Sequence, residues 1–154
     1  NKTAIRKALK ENIKIEESDK YNLFYELLIT NLKLRHNVIP THSLKEIKKI
    51  KKLYPDQIRL FVAKLDGKII AGVVNFICNT NTVLAFYIAH NDSFQHLRPL
   101  NLLFDHMFEW SINHKYKYYD FGLFTDCGIP NRSLARFKEN FGTEGMFRKT
   151  MTLH

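Results

Sequence analysis

The chain has 154 residues, of which 45% are hydrophobic and 25% are charged, which excludes a disordered or multidomain protein and predicts a single globular domain. Lys and Arg exceed Asp and Glu by 24 to 15, and the net charge of +9 favours polyanionic or phosphorylated partners, unless it serves solubility alone. Two isolated cysteines and short apolar runs predict a cytoplasmic protein without a disulfide framework, a metal site or an integral membrane segment.

The first third of the chain predicts helices. Residues 1–18 are polar with scattered apolar positions, which fits either a short helix or an extended arm. From Asp19, read as an N-cap, apolar residues recur at helical spacing as far as 35–37.

Ser43 and Glu46 have the spacing of a capping box, which opens a second helix that Pro55 ends. One side of that helix is basic and is either a phosphate-binding face or a solvated surface. The basic residues are Lys45, Lys48, Lys49, Lys51 and Lys52.

Three consecutive runs of strand-forming residues follow. Residues 60–65 and 68–77 are joined by Asp66-Gly67, a dipeptide that tolerates the positive φ angles of a type I′ turn. A polar turn then leads into residues 83–89. These runs predict an antiparallel meander of three strands.

The last third predicts a helix from Pro99 to about His114, a strand over 118–124 and a short helix over 131–140 with Gly142 at its C-cap. Residues 146–153 predict a final strand. The order of these elements predicts an α/β domain in which helices cover a mixed sheet.

Four segments carry a resemblance to a known family. They are Ile5-Arg6-Lys7-Ala8, Arg35-His36 with Pro40-Thr41-His42, Tyr119-Asp120-Phe121-Gly122, and a C-terminal N-x-x-L-x-x-F-K-x-x-F-G motif from Asn131 to Gly142. With the element order, they resemble the FemAB-like branch of the GNAT superfamily of N-acyltransferases, over nearly the whole chain. The D-F-G tripeptide lacks every other kinase element, so we exclude a kinase.

The resemblance implies a GNAT-like acyl-CoA N-acyltransferase fold, with a three-strand antiparallel meander, a crossover helix and a splayed pair of parallel strands. It implies an enzyme that moves an aminoacyl or acyl group from aminoacyl-tRNA or acyl-CoA, used as a co-substrate, to an amine acceptor. Cell-envelope precursors that are nucleotide- or lipid-linked are candidate acceptors. We expect residues 1–154 to be one such domain of a longer chain, with a missing N-terminal domain or a homo-oligomeric partner completing the cleft.

One segment departs from the wider family. Ordinary GNAT enzymes bind the pyrophosphate of acetyl-CoA with a Q/R-x-x-G-x-G/A turn at the start of the crossover helix, where backbone amides face the anion. Here residues 95–100 contain neither glycine, and Pro99 removes one amide donor. The departure favours a FemAB-like donor, and Arg98 is the predicted cofactor-binding residue.

Three residues are predicted to be catalytic. The F-K-x-x-F-G motif places Phe137 and Lys138 at the family's active site, where the ammonium would stabilise charge on the carbonyl oxygen or orient the donor. Without the motif, Lys138 would be an ordinary surface lysine. Asp120 shares a strand face with the small Gly122, so its carboxylate either acts as a base toward the acceptor amine or accepts a hydrogen bond from a loop amide.

Four residues are predicted to bind substrate. Tyr87 lies in a Y-I-A-H stretch that resembles the family's acceptor-lining strand, and it would otherwise be core. Arg35 and His36 would bind phosphate or carboxylate, or else stabilise the C-terminus of a helix. Asn131 is first a helix cap and second a ligand.

Two other functions stay open. One is an ordinary acetyl-CoA-dependent N-acetyltransferase with an unusual phosphate loop, and the other is a non-catalytic RNA-binding module that uses the lysine face of the second helix.

Overall fold

The computed structural model describes residues 2–126, 128–147 and 151–152 and has two compact units, Asn1–Gly122 and Leu123–His154. In chain order, the first unit contains α1 (Lys2–Lys10), β1 (Lys14–Glu17), α2 (Tyr21–His36), α3 (Leu44–Leu53), β2 (Ile58–Leu65), β3 (Lys68–Ile77), β4 (Thr82–His90), a short 3-10 helix (Asp92–Leu97), α4 (Pro99–Asn113) and β5 (Tyr118–Asp120). The second unit contains β6 (Thr125–Asp126), β7 (Ile129–Pro130) and α5 (Arg132–Glu139). None of the described helices has the length and apolar character needed to span a membrane.

The first unit is built on one mixed sheet with the strand order β1-β2-β3-β4-β5. The strands β1 to β4 pair antiparallel with one another, and β5 runs parallel to β4 after the crossover through α4. This arrangement confirms the predicted mixed sheet, meander and crossover helix. The sequence left two possibilities for residues 1–18, and the described residues there form α1 and then β1, which extends the meander to a fourth antiparallel strand.

Helices cover both faces of the sheet. On one face, Phe24 and Leu28 of α2 and Ile47 of α3 are buried against β2 and β3. On the other face, Phe61 of β2 packs against Trp110 of α4, with ring centroids 5.4 Å apart. Successive side chains of a strand point to opposite faces, so the apolar run of β2 contributes buried side chains to the packing on both faces of the sheet.

The predicted capping box and hairpin turn are confirmed. Ser43 Oγ accepts the Glu46 backbone N–H at 3.3 Å, and the Glu46 carboxylate accepts the Ser43 backbone N–H at 2.6 Å. Asp66 and Gly67 both have positive φ angles, 48° and 78°, as a type I′ turn requires.

The predicted N-cap of α2 is wrong. Lys20 occupies the N-cap position and its side chain makes no capping bond, whereas Asp19 lies one residue outside the helix. The Tyr21 backbone N–H donates to the Asp19 carbonyl at 2.8 Å, and this tight turn delays the start of the helix by one residue.

The predicted strand over 118–124 is shorter than expected. It ends at Asp120, because the next residues turn away: Gly122 has a φ of 68°, and its N–H donates to Asp120 Oδ1 at 2.7 Å. Left-handed backbone of this kind does not continue a strand.

The C-terminal predictions are corrected in two places. The C-cap of α5 is Asn140, and Gly142, with a φ of 81°, lies two residues beyond it. The predicted final strand is absent from the described part of residues 146–153, where the Met146 and Phe147 side chains are exposed. Residues 148–150 and 153 lie outside the described residues.

Candidate active site

An opening separates β4 from β5 in the first unit. The two strands pair only where Thr82, Val83 and Leu84 meet Tyr118, Tyr119 and Asp120. Beyond Leu84, β4 continues to His90 without a strand on that side among the residues described. The outer backbone edge of β4 over 86–89 therefore has no strand partner among the described residues, whereas the His90 carbonyl at its end accepts from Asn31 Nδ2.

A β-bulge lies just beyond the last pairing between β4 and β5. Val74 of β3 pairs with Tyr87 and Asn75 pairs with Ala85, so Phe86 is one extra residue in β4. A bulge bends its strand and increases the local twist. The bend lies two residues after Leu84, the last residue of β4 that pairs with β5.

The bulge also directs two consecutive side chains to one histidine. The Tyr87 hydroxyl lies 3.1 Å from the backbone nitrogen of His42, which donates to it, and 3.1 Å from His42 Nδ1. The Phe86 ring lies 5.6 Å from the His42 ring and stacks on Phe76 at 4.2 Å. In a regular strand, neighbouring side chains would point to opposite faces. The loop before α3 is therefore fixed to the part of β4 that does not pair with β5. Tyr87, which makes this contact, is one of the predicted substrate-binding residues.

Arg35 is paired within the first unit. Its guanidinium donates to Asp92 Oδ1 at 2.5 Å and lies 3.1 Å from His90 Nε2. Asn31 Nδ2 donates to the His90 carbonyl at 2.9 Å, so α2 is tied to the end of β4. The neighbouring predicted residue, His36, ends α2, and its side chain lies outside the described residues.

The charges in this group shift two pKa values. Burial, and then the Arg35 guanidinium, holds the pKa of His90 below its usual range, while the Asp92 carboxylate acts in the opposite direction. The hydrogen bond from Arg35 lowers the pKa of Asp92. The unfolded chain therefore binds the His90 proton more readily, and the free energy of unfolding decreases as the pH falls below about 6.5.

The substitution Arg35→Met is expected to raise the pKa of His90 above its value in the unmodified protein. It removes a neighbouring cation and leaves the Asp92 carboxylate unopposed. An NMR titration of the His90 ring measures this pKa directly. An unchanged titration curve would show that Arg35 does not act on His90.

Arg98 stands at the junction between the 3-10 helix and α4. It has a left-handed backbone with a φ of 61°, and it is both the C-cap of the first helix and the N-cap of the second. Its side chain is exposed, next to the positive N-terminal end of α4. The predicted cofactor-binding residue is therefore an exposed cation at the start of α4, and its binding role stays a prediction.

Asp120 is the last residue of β5, at the start of the opening. Its Oδ1 accepts the Gly122 backbone N–H, so the carboxylate makes the loop hydrogen bond that the sequence offered as one alternative. This contact orients the carboxylate, and a catalytic role for Asp120 stays a prediction.

The remaining predicted residues lie on α5 in the second unit. Lys138 is 7% exposed, and its Nζ donates to the Leu123 carbonyl at 2.6 Å, so it is not an ordinary surface lysine. The Phe137 ring packs edge-on against Phe141 with centroids 5.3 Å apart. Asn131 caps α5 by accepting the Leu134 backbone N–H at 3.0 Å. The roles of these residues in substrate binding and catalysis stay predictions.

Comparisons with known proteins agree with this architecture. A family profile of acetyltransferase (GNAT) domains matches residues 4–139. No curated protein matches the sequence. An aminoglycoside acetyltransferase from an uncultured soil metagenomic sample, in complex with sisomicin, has a TM-score of 0.66 at 17% identity, over 95% of this chain and 99% of that chain.

Two further solved structures are similar in fold. FemX has a TM-score of 0.75 at 17% identity, over 92% of this chain and 53% of its own, so this chain spans about half the length of FemX. A GNAT family acetyltransferase from Elizabethkingia anophelis with acetyl-CoA bound has a TM-score of 0.58 at 19% identity, over 85% of this chain and 75% of that chain.

Proposed function

Because this chain belongs to the family of GNAT acetyltransferase domains and is an acyltransferase, we propose that it transfers an acyl group from acyl-CoA to an amine. The observation that supports the proposal is the opening beside β4, whose edge over 86–89 has no strand partner among the described residues and is followed, after the short 3-10 helix, by the N-terminus of α4. The similar Elizabethkingia anophelis structure has acetyl-CoA bound, which supports this donor.

The geometry suits an elongated donor with amide groups and a phosphate end. Amides can pair with the edge of β4 as an added strand would. The positive end of α4 and the exposed Arg98 side chain favour an anion at the far end. The net charge of +9 attracts such a donor at long range.

In the reaction we propose, the neutral acceptor amine attacks the thioester carbonyl. A carbon–nitrogen bond forms, the carbon–sulfur bond breaks, and the thiolate leaves and takes up a proton. Backbone N–H groups on the edge of β4 stabilise the oxyanion. The amine gives up its proton toward the hydrogen-bonded pair of Tyr87 and His42, which is fixed at the same segment.

Aminoacyl-tRNA is the second candidate donor. It rests on the FemAB-like motifs, on the similarity in fold to FemX, and on the absence of both glycines from residues 95–100. With this donor an amine would attack an ester instead of a thioester, and a cell-envelope precursor would be the natural class of acceptor.

Release of free thiol distinguishes the donors. The protein is incubated with acetyl-CoA and a set of primary amines, and separately with charged tRNA and the same amines. Amine-dependent thiol release supports acyl-CoA, and amine-dependent loss of the aminoacyl group from tRNA supports the second donor. If neither donor supports turnover with amines of different size, the proposed function is contradicted.

Arg98→Gly is expected to stabilise the protein and weaken its binding of coenzyme A. Glycine adopts the left-handed backbone at this position without strain, so the free energy of unfolding rises by about 0.5 kcal/mol after the greater freedom of the unfolded chain is included. Loss of one exposed cation weakens coenzyme A binding about fivefold.

Arg98→Ala is the matched control, because it removes the same charge but retains the backbone strain. Both variants should bind coenzyme A equally weakly in calorimetric titrations, and only the glycine variant should melt at a higher temperature. Unweakened binding by both variants would remove Arg98 from the donor site.

A further inference from the structure

A second concavity lies between α2, α3 and the loop that joins them. It has a volume of about 550 Å³. Its apolar wall consists of Ile29, Ile39, Pro40 and Leu44. A cavity of this size with an apolar wall suits a small organic group.

The two carboxylates of the lining are acidic, and its other polar residues are uncharged or are the imidazole of His42. Glu26 and Glu46 line the cavity, and no Lys or Arg does, although the chain as a whole carries a net charge of +9. Both glutamates are exposed, and neither forms an ion pair within the part of the chain that the structure describes. The cavity is therefore a local site for cations on a basic protein.

The capping box holds one of these carboxylates in place. Glu46 Oε2 accepts the Ser43 backbone N–H at 2.6 Å and the Ser43 hydroxyl at 2.7 Å. These bonds hold the pKa of Glu46 below its usual range, so the group stays ionised well below neutral pH. Its other oxygen has no hydrogen-bond partner among the described residues, so it remains available to a ligand.

One residue of the lining, Tyr25, has a buried hydroxyl without a hydrogen-bond partner among the described residues. Tyr25 lines the cavity and is 5% exposed, and its hydroxyl makes no hydrogen bond among the described residues. Burial, with Tyr87 and Glu46 nearby, raises the pKa of Tyr25 to about 12, so the phenol is neutral at physiological pH. A buried polar group left unpaired is destabilising, so a ligand atom that reaches this hydroxyl would relieve that penalty.

We propose that this cavity binds a protonated amine on an apolar chain, and that it anchors a second amine of the acceptor, separate from the one that is acylated. Carboxylates stabilise the ammonium form, which has no lone pair and cannot attack a carbonyl. His42 lines the cavity and contacts Tyr87 at the opening beside β4, so a bound acceptor extends from here toward that strand. The first step of this proposal is that the cavity binds an ammonium group, and it does not depend on the proposed function. The second step is that the bound group anchors the acceptor, and it rests on the proposed function.

The test of the first step needs no acyl donor. Hexylamine, 1-hexanol and hexanoate are titrated into the protein at low ionic strength, and binding is followed by amide shifts in NMR spectra. Hexylamine is expected to bind about tenfold more tightly than hexanol, about threefold for each exposed carboxylate, with shifts at residues 25–29 and 39–46.

Three variants complete the design. Glu46→Gln keeps a capping-box residue and removes only the charge, and Glu26→Gln removes the other charge. Each should reduce the preference for hexylamine about threefold, whereas the control Glu11→Gln, far along the sequence on an exposed turn, should not change it. Equal binding of hexylamine and hexanol, or tighter binding of hexanoate, would overturn the proposal.

The second step is tested by turnover. With 1,6-diaminohexane as acceptor, Glu46→Gln should raise KM and leave kcat within about twofold, since the anchored amine does not react. Equal KM values for this variant and the unmodified enzyme would refute the anchoring role, while amine binding in NMR would still stand. Absence of any turnover, in contrast, counts against the proposed function.

Discussion

Lys138→Ala is expected to lower the kcat of acyl transfer about 100-fold or more while the chain remains folded. We propose that this ammonium stabilises charge on the carbonyl oxygen or orients the donor, as the F-K-x-x-F-G motif implies. Lys138 is 7% exposed and donates to the Leu123 carbonyl at 2.6 Å, so the charge is held away from bulk water. In such surroundings, loss of one stabilising donor typically lowers the rate about 10²- to 10³-fold.

Two further variants separate chemistry from folding. Lys138→Met keeps the length and apolar contacts of the side chain, and should lose as much kcat as the alanine variant with less loss of stability. Arg136→Met, on the exposed side of the same helix, removes an equal charge and should keep its activity. A folded Lys138→Met variant with full turnover would show that this lysine only supports the backbone at Leu123.

Gly72→Ala is expected to reduce the free energy of unfolding by about 1–3 kcal/mol. A Cβ atom at this position of β3 would lie 2.5 Å from Cδ2 and 2.8 Å from Cε2 of Phe24, and 3.3 Å from the Phe61 carbonyl oxygen. Phe24 is 0% exposed and central to the packing of α2 on the sheet, so its ring has little room to move. Urea denaturation measures the loss.

A double-mutant cycle tests the cause. Phe24→Leu alone removes buried volume and destabilises the protein, but it makes room for the new methyl group. The double variant should therefore lose at least about 0.5 kcal/mol less than the sum of the single losses. Gly145→Ala is the control, because its Cβ would meet Phe124 at an ordinary 3.9 Å. Strict additivity would mean that the two residues do not collide.

Local rules made much of the fold predictable. The capping box of α3, the Asp66-Gly67 turn and the proline at the start of α4 depend on neighbours within four residues, and the structure contains all of them. β1 was not predictable, because only Ile15 of its four residues is partly buried and no alternating pattern marks the strand. Its existence depends on pairing with the distant β2.

The candidate site was less predictable for the same reason. Tyr87 was identified through a resemblance, whereas the bulge that aims it at His42 depends on the register between β3 and β4. His42 belongs to the Pro40-Thr41-His42 motif, but the sequence indicated no role for its side chain. It lies in a loop, where no helical or strand periodicity distinguishes it. Asp92 and His90 meet Arg35 across more than fifty residues, a pairing that a single sequence does not encode in its spacing.

Mapping coenzyme A by NMR tests most directly whether the donor occupies the edge of β4. Titration to near-millimolar coenzyme A is predicted to shift the amides of residues 86–90, 96–98 and 100–102 first and most strongly. Shifts confined to the lysine face of α3, or no saturable shift at all, would mean that the opening between β4 and β5 does not receive this donor.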